Sequence, residues 1–277
     1  DGEQSVTLQH LLIGEVWLCA GQSNMVMPLN GFDYCPISDS NNVIADAPNH
    51  PGIRMVTIKP TVKLSPQEYA EGSWQQPTTE NAPKFSAAAY HYALTLQRTL
   101  QIPIGVITCA WGGSRVEGWL PKEILQTYKD EDLTLIGSDK TPVYLQSMLM
   151  YNGILYPCHK YTIKGFIWYQ GESNVRSSRT YAERLATMVK HWRSIWKQGD
   201  LPFYYVETVP FACEYKEDGY IGALLREAQQ KALSLIPNSG MIGTNDLVET
   251  YEAPQVHPHN KKGIGERLAY MSLNKTY

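Results

Sequence analysis

The sequence predicts an α/β protein with a parallel β-sheet covered by helices on both faces. Strand-like apolar runs and helix-like patterns alternate along the whole chain, which favours parallel strands joined by helices. The run Ile104–Ala110 is continuously apolar and rich in β-branched residues, as is typical of a strand buried on both faces. Ligands of such sheets bind beyond the carboxyl ends of the strands, and we expect the functional site there.

Other strands are predicted from shorter runs. They cover residues 16–20, 53–59, 163–169, 202–208 and 241–243. A further short strand is expected at residues 6–8, within a segment 1–13 that we interpret as an N-terminal strand or the remnant of an upstream domain. Residues 14–277 contain no internal repeat, low-complexity tract or linker, and we interpret them as one domain.

Helices are predicted where apolar residues recur at helical spacing. The clearest covers residues 85–100, which Ser86 can cap. The other predicted helices cover residues 143–155, 181–196, 224–236 and 261–273. Residues 28–50 and 60–83 are polar and rich in proline and are predicted to be loops, and loops of this length are usually functional or mobile.

Composition excludes several classes of protein. The net charge is -3 and no basic run occurs, so a nucleic-acid partner is not expected. No apolar run approaches the ~20 residues that a membrane span requires. The chain begins at Asp1 rather than Met, which we interpret as a mature or excised form, and we expect a secreted or periplasmic protein. The sequence does not indicate the oligomeric state.

The cysteines predict no metal site. None of the five forms a CxxC pair, so neither zinc nor a redox dithiol is expected. Cys19 and Cys109 lie in apolar strand-like runs and are expected to be buried. Cys35, Cys158 and Cys213 lie in loop-like stretches, where a disulfide is an open alternative.

Ser23 is the first candidate for chemistry. It follows the strand-like residues 16–20 and the glycine Gly21, a position that aims a hydroxyl out of the carboxyl edge of a sheet. A serine is a poor nucleophile until a nearby base takes its proton. The alternative is a serine that caps the next helix. The G-x-S-x-G pattern of α/β-hydrolases is not matched, because Met25 occupies the place of its second glycine.

His257 is the candidate base. It lies in a loop just before the last predicted helix, and Pro258 restricts the backbone of that loop. A lone histidine is more often structural than catalytic, but a stiff loop favours a held imidazole. We expect the neighbouring His259 to have a surface role.

Two further strand ends carry polar or glycine-rich segments. The pair Gly112 and Gly113 forms either a tight turn or a place where a bare N–H group approaches a substrate oxygen. The Gln170 side chain could donate a second hydrogen bond to that oxygen, or only tie loops together. For Glu172 we favour a loop anchor or an organiser of hydrogen bonds.

Four motifs together resemble the sialate O-acetylesterase family of carbohydrate esterases. They are Gly-Gln-Ser-Asn-Met at 21–25, Trp-Gly-Gly-Ser at 111–114, Trp-Tyr-Gln-Gly-Glu-Ser-Asn at 168–174, and His-Pro at 257–258 with Asn-Lys at 260–261. The resemblance implies the SGNH-hydrolase fold, a flavodoxin-like three-layer α/β/α sandwich, and removal of acetyl groups from sugars without a cofactor. It implies Ser23 as nucleophile and His257 as base, with an oxyanion hole at the Ser23 amide, Gly113 and Gln170.

The acid of the triad has no obvious position in this sequence. Many SGNH hydrolases carry Asp three residues before the catalytic histidine, where this chain has Pro254. We predict Asp246 instead, because it follows the strand-like residues 241–243. Glu249, Glu252 or a backbone carbonyl, which would leave a Ser–His dyad, are the alternatives.

The leading hypothesis is a serine esterase that deacetylates a carbohydrate, either acetylated sialic acid or a hemicellulose such as xylan. The missing acid and the content of 18 Tyr and 7 Trp motivate a second hypothesis, a catalytically silent carbohydrate-binding protein on the same scaffold. A lipase-like hydrolase of long acyl chains is a third hypothesis. The expected partner is an acetylated carbohydrate substrate, and neither a metal ion nor a cofactor is expected.

Overall fold

A single parallel sheet forms the centre of the molecule. The computed structural model describes residues 7, 9, 11–211, 219–252 and 254–277. Within them, six strands form a sheet of order β2-β3-β1-β4-β5-β6, and every neighbouring pair is parallel, as predicted. The strands are β1 (Glu15–Gly21), β2 (Ile53–Thr57), β3 (Ile104–Ala110), β4 (Gly165–Tyr169), β5 (Phe203–Val206) and β6 (Ser239–Ile242). The strand predicted at residues 6–8 lies largely outside the described residues.

Seven α-helices accompany these strands in the described part of the chain. They are α1 (Ser23–Val26), α2 (Ser40–Asp46), α3 (Ala87–Leu100), α4 (Lys122–Leu125), α5 (Ser178–Trp196), α6 (Ile221–Leu235) and α7 (Lys261–Lys275). Four of the five predicted helices correspond to α3, α5, α6 and α7. Ser86 caps α3 as predicted, because its Oγ accepts a hydrogen bond from the N–H of Ala89 at 3.3 Å.

Two predictions of local structure are wrong. Residues 143–155 do not form one helix but a 3₁₀ turn, Val143–Leu145, followed by a π-helix, Tyr151–Leu155. Between them Met148 has a φ of +71°, a left-handed conformation that no right-handed helix can continue through. The predicted loop at residues 28–50 contains α2, which has no buried residue and therefore no apolar periodicity to detect.

The helices cover both faces of the sheet. Alternate residues of β1 point in opposite directions, so that Trp17 packs in the core beside α3 and α7 while Leu18 packs in the core beside α5 and α6. Every residue of β3 is buried, which explains its continuously apolar sequence. This arrangement confirms the predicted three-layer α/β/α sandwich.

The carboxyl ends of the central strands meet at one edge of the sheet. Gly21 at the end of β1 pairs with Ala110 of β3 on one side and with Tyr169 of β4 on the other. The residues that follow these three positions therefore leave the sheet side by side, which brings Ser23, the glycine pair and Gln170 to the same edge.

Among the described residues, no helix is both long enough and apolar enough to cross a membrane.

Candidate active site

The turn after β1 presents Ser23 at the edge of the sheet. Gly21 has a φ of +142°, and a Cβ there would lie 2.0 Å from the carbonyl oxygen of Tyr169, so the position requires glycine. The N–H of Gln22 donates to the same carbonyl at 3.0 Å. Gln22 occupies the N-cap position of α1 and Ser23 is the first helical residue, so the serine is not the cap. Its half-buried side chain faces the site.

The structure brings His257 to Ser23. The Nε2 atom of His257 lies 2.8 Å from Ser23 Oγ, which is within the range for proton transfer. The imidazole is buried, with 6% of its residue surface exposed. The predicted pairing of these two side chains is therefore present in the geometry.

Burial keeps His257 uncharged. Desolvation is the larger cause and the nearby Lys261 cation the smaller one, and together they lower the pKa of His257 from 6.5 to about 4. A neutral imidazole can accept the Ser23 proton at Nε2 only if its own proton sits on Nδ1. Near neutral pH the ring is thus in the charge state that a general base needs.

Asp246 is not the partner of His257, and that prediction is wrong. Both carboxylate oxygens of Asp246 accept hydrogen bonds from Arg267 on α7, one of them at 2.7 Å from Nη1. The Asp246 side chain is 69% exposed, and the hydrogen bonds from Arg267 hold its pKa below the ordinary value. A guanidinium fork matches a carboxylate better than one imidazole N–H does, and Arg267 occupies both oxygens.

The two alternative carboxylates also lie elsewhere. Glu252 Oε1 accepts from the N–H of His259 at 2.7 Å and pairs with the His259 ring, while Oε2 accepts from the N–H of Glu249 at 3.0 Å. The Glu249 side chain is exposed. Within the described ranges, no carboxylate or carbonyl oxygen accepts a hydrogen bond from His257 Nδ1. The acid of a triad is therefore not found among the predicted residues.

The glycine pair forms a turn beside Ser23. A Cβ on Gly112 would lie 3.6 Å from Ser23 Cβ, so the turn passes close to the serine. Gly113 has a φ of +75°, and its carbonyl accepts a hydrogen bond from Ser173 Oγ at 2.7 Å. Neither Gly112 nor Gly113 donates its N–H to an acceptor in the described part of the chain. Among the described residues, neither N–H group therefore has an internal acceptor.

Gln170 has no donor to spare for a substrate, contrary to the prediction. Its Nε2 donates to the carbonyl of Ser114 at 3.0 Å and to Asn174 Oδ1 at 2.8 Å, which uses both amide hydrogens. Its Oε1 accepts from Tyr181 at 3.0 Å, and the residue is fully buried. Gln170 ties the loop after β3 to the loop after β4, which was the alternative interpretation of its role.

A buried ion pair supports the same two loops. Asn174 Oδ1 accepts from the N–H of Val116 at 2.9 Å, and Asn174 Nδ2 donates to Glu117 at 3.0 Å. Glu117 is fully buried and accepts from Arg184 of α5 at 2.5 Å. Arg184 also donates to both oxygens of Asp130, at 2.6 and 2.7 Å. The network fixes the segment after the glycine pair against the loop that contains Gln170.

A second polar cluster lies beneath Ser23. Asn24 Nδ2 donates to Glu172 Oε1 at 2.5 Å, and Asn24 Oδ1 accepts from the ammonium group of Lys261 at 2.7 Å. Lys261 is fully buried. Burial lowers the pKa of Lys261 to about 7, against the opposing effect of Glu172, and burial raises the pKa of Glu172. Glu172 is an organiser of hydrogen bonds, as the sequence suggested.

Aromatic rings line the approach to the two central side chains. Phe32 packs its ring against the His257 ring edge-on, with centroids 5.2 Å apart, and Tyr34 lies 6.1 Å from the same ring. Tyr34 is 66% exposed. At the glycine pair the half-exposed Tyr144 packs against Gly113, where a Cβ would come within 2.7 Å of the ring. Such surfaces suit the faces of sugar rings.

The four described cysteines are free thiols, and all four are buried. The Sγ atoms of Cys109 and Cys158 lie 3.8 Å apart, which is a contact and not a bond. Cys35 donates to the carbonyl of His257, and Cys213 lies outside the described residues. No group of three or more His, Cys, Asp or Glu side chains in the described ranges is placed to hold a metal ion.

Sequence reasoning missed the roles of Asn24, Glu117 and Lys261. Asn24 and Lys261 lie within the recognised motifs, but nothing in the sequence shows that a lysine is fully buried, since lysines rarely are. Glu117 follows a turn four residues after Gly113, and its burial depends on Arg184, which lies 67 positions away in the sequence.

The fold and the site define an SGNH-type α/β protein with a Ser–His pair at the carboxyl edge of its sheet. A family model described as "Carbohydrate esterase, sialic acid-specific acetylesterase" matches residues 13–274. The chain therefore belongs to this family of carbohydrate esterases.

Similarities to individual proteins support this family membership. The chain is 26% identical to human sialate O-acetylesterase (Homo sapiens) over 304 residues, covering 99% of this chain and 57% of that protein. A carbohydrate acetylesterase from Xanthomonas citri superposes with a TM-score of 0.81 at 31% identity, covering 95% of this chain and 57% of the other. A protein from Arabidopsis thaliana has the same fold, with a TM-score of 0.64 at 18% identity, 95% of this chain and 99% of that one. The chain thus spans a little over half the length of the curated relative.

Proposed function

We propose that the protein is a serine esterase that removes O-acetyl groups from a carbohydrate by two-step acyl transfer. The observation that carries this proposal is the 2.8 Å contact between Ser23 Oγ and His257 Nε2 at the carboxyl edge of the sheet. Membership of a carbohydrate esterase family and the aromatic walls of the site support a sugar ester as substrate.

In the first step Ser23 Oγ attacks the acetyl carbonyl carbon while His257 Nε2 takes the serine proton. The carbonyl oxygen becomes an oxyanion, which we propose accepts hydrogen bonds from the N–H groups of Ser23 and Gly113, with Gly112 allowing the close approach. The C–O bond to the sugar then breaks, and His257 returns its proton to the departing sugar oxygen.

In the second step a water molecule attacks the acetyl–Ser23 ester. His257 takes a proton from this water, the same N–H groups hold the second oxyanion, and acetate leaves as Ser23 regains its proton. Every group in this mechanism is a side chain or backbone amide of the chain. The amide of Gln170 has no part in it, because its hydrogens are already donated within the protein.

The sugar is best identified by acetate release from a panel of acetylated glycans, including acetylated sialic acids and acetylated xylan. Release from one class and not from the other assigns the substrate. A series of 4-nitrophenyl esters tests the chemistry: a rate that falls with acyl length supports an acetylesterase, and a rate that rises with acyl length supports a lipase-like enzyme instead.

A silent carbohydrate-binding protein is the second candidate. The observation that favours it is that His257 Nδ1 has no hydrogen-bond partner in the part of the chain that the structure describes. The two candidates separate in one experiment. An esterase releases acetate from a glycan that it binds, whereas a silent protein binds the acetylated glycan and leaves it intact.

We also propose a secreted or periplasmic location, where acetylated glycans are accessible. Immunodetection in the culture medium and in the periplasmic and cytoplasmic fractions tests it.

A further inference from the structure

Three consecutive carbonyl oxygens around His257 each accept a hydrogen bond from a side chain. The donors come from α1, from the loop before α2 and from the first residue of α7. The pairs are Asn24 Nδ2 with the carbonyl of Val256 at 2.9 Å, Cys35 Sγ with that of His257 at 3.1 Å, and Lys261 Nζ with that of Pro258 at 2.8 Å.

These donors connect the histidine loop to the serine. Asn24 follows Ser23 in α1. Its hydrogen bond to the Val256 carbonyl therefore joins the helix that carries the serine to the loop that carries the base. Lys261 donates to Asn24 Oδ1 as well as to the loop. The relative position of Ser23 and His257 therefore depends on Asn24 and Lys261 together.

The burial of Lys261 costs free energy, which indicates that its ammonium group has a role inside the protein. Taking an ammonium group out of water carries a large desolvation penalty, which only good hydrogen-bonding geometry and an opposite charge offset. Lys261 has 0% exposure, and two oxygens accept its hydrogen bonds while the buried Glu172 supplies the negative charge through Asn24. A lysine that served only to begin α7 could keep its head in water, as its neighbour Lys262 does.

The ring of His257 lacks the usual means of orientation. In a Ser-His-Asp triad a carboxylate on Nδ1 holds the imidazole in place. Here the described residues offer Nδ1 no acceptor, and the ring is held by van der Waals contacts with Phe32 and Tyr34 and by the contact of Nε2 with Ser23. With so little holding the ring directly, the backbone position of His257 determines where Nε2 lies.

We propose that Asn24, Cys35 and Lys261 are positioning residues, which hold the backbone of residues 256–258 and so place His257 Nε2 against Ser23, where no described residue orients the ring through Nδ1. The proposal rests on the proposed function, in which His257 takes the proton of Ser23. An error of about 1 Å in such a contact can slow a reaction on the order of 100-fold.

The first test removes the Lys261 donor. Lys261→Met alone would leave the Glu172 carboxylate buried without a counter-charge and could fail to fold, so it is paired with Glu172→Gln in a double variant. Lys262→Met, which removes an exposed lysine one position away, and Glu172→Gln alone are the matched controls. With 4-nitrophenyl acetate we expect the double variant to lose on the order of 10- to 100-fold in kcat beyond Glu172→Gln, with KM nearly unchanged.

The second test uses Cys35, whose removal changes no charge. Cys35→Ala deletes the donor to the His257 carbonyl, and Cys35→Ser supplies a hydroxyl donor in its place. We expect kcat to fall in the alanine variant and to recover in the serine variant, at similar thermal stability. A merely structural role would lower stability in both without this recovery.

A crystal structure of the double variant separates this proposal from the proposed function. We expect the contact between Ser23 Oγ and His257 Nε2 to open beyond hydrogen-bond distance, whether or not the wild type hydrolyses the ester. A contact kept at its wild-type length, together with unchanged kcat in the double and Cys35→Ala variants, overturns the positioning role. If the wild type shows no turnover while the contact opens in the double variant, only the esterase proposal is overturned.

Discussion

His257 Nε2 lies 2.8 Å from Ser23 Oγ although 234 positions separate the two residues in the chain. The proximity follows from the fold, because Ser23 leaves the sheet at the end of β1 and the loop before α7 returns to the same edge. Two side chains held this way can exchange a proton.

Ser23→Ala is expected to fold normally and to lose nearly all esterase turnover, because the attacking oxygen is gone. Loss of a triad nucleophile typically costs on the order of a millionfold in kcat. Turnover of 4-nitrophenyl acetate and covalent labelling by an organophosphate, located by peptide mass spectrometry, measure the effect. Ser194→Ala, an exposed serine of α5, is the control. Wild-type labelling at a residue other than Ser23 would contradict the assignment.

Asp246→Asn is expected to leave turnover nearly unchanged, because Asp246 contacts Arg267 and not His257. Glu249→Gln should behave likewise. A carboxylate that orients a catalytic histidine costs ~10,000-fold in kcat when it becomes an amide. Steady-state kinetics decide between these outcomes, and a loss of that size in Asp246→Asn would show that the loop rearranges during the reaction.

Gln170→Ala is expected to act mainly on stability. Truncation leaves the Ser114 carbonyl without the N–H of Gln170, and a buried polar group without a partner costs about 1–3 kcal/mol. Urea unfolding measures this loss. The control is Gln198→Ala, which removes an exposed side-chain amide that donates to the carbonyl of Ile163, just before β4. An oxyanion-hole donor would instead lose ~100-fold or more in kcat at unchanged stability. That result would restore the catalytic role predicted from the sequence.

The sequence predicted the sheet and the main helices from local apolar patterns, and it placed Ser23 at a strand end by the rule that parallel strands end at one edge. The roles of Ser23 and His257 as nucleophile and base came from the resemblance to the carbohydrate esterases. The sequence did not predict which partner each polar side chain takes. Asp246 binds Arg267 and Gln170 binds Ser114 because of positions that only the folded chain brings together. Residues 143–155 were misassigned because their apolar pattern does not reveal the left-handed conformation of Met148, which divides the segment into a 3₁₀ turn and a short π-helix.

Arg184→Met is expected to destabilise the protein strongly. It removes the cation that hydrogen-bonds the fully buried Glu117 and leaves that carboxylate beside the more distant Arg115 guanidinium, at 3.7 Å; breaking a buried ion pair from one side costs about 3–5 kcal/mol. Lys231→Met, which removes one member of an exposed pair on the surface of α6, should change stability little. Chemical denaturation of both variants gives the comparison. Equal, small effects would mean that water reaches Glu117 in solution.

The acid limb of the pH–rate profile is expected near pH 4. His257 must be neutral to accept the Ser23 proton, and burial, aided by Lys261, lowers its pKa from 6.5 to about 4. Activity should therefore persist through pH 5–6, where an ordinary histidine is largely protonated, and fall as the pH drops through about 4. The pH dependence of kcat/KM, which reports groups of the free enzyme, measures this limb.

The same pKa shift makes the stability of the fold depend on pH. The pH–rate profile therefore needs a control for acid unfolding. The folded pKa of His257 lies below its unfolded value, so its contribution to stability is complete above about pH 6.5 and is lost as the pH falls toward 4. His91, whose pKa burial also lowers to about 4, adds to the loss in the same window. Enzyme held briefly at each pH and assayed again at pH 7 separates titration, which reverses at once, from unfolding. A reversible limb at pH 6.5 instead of 4 would mean that the His257 ring is hydrated in the working enzyme.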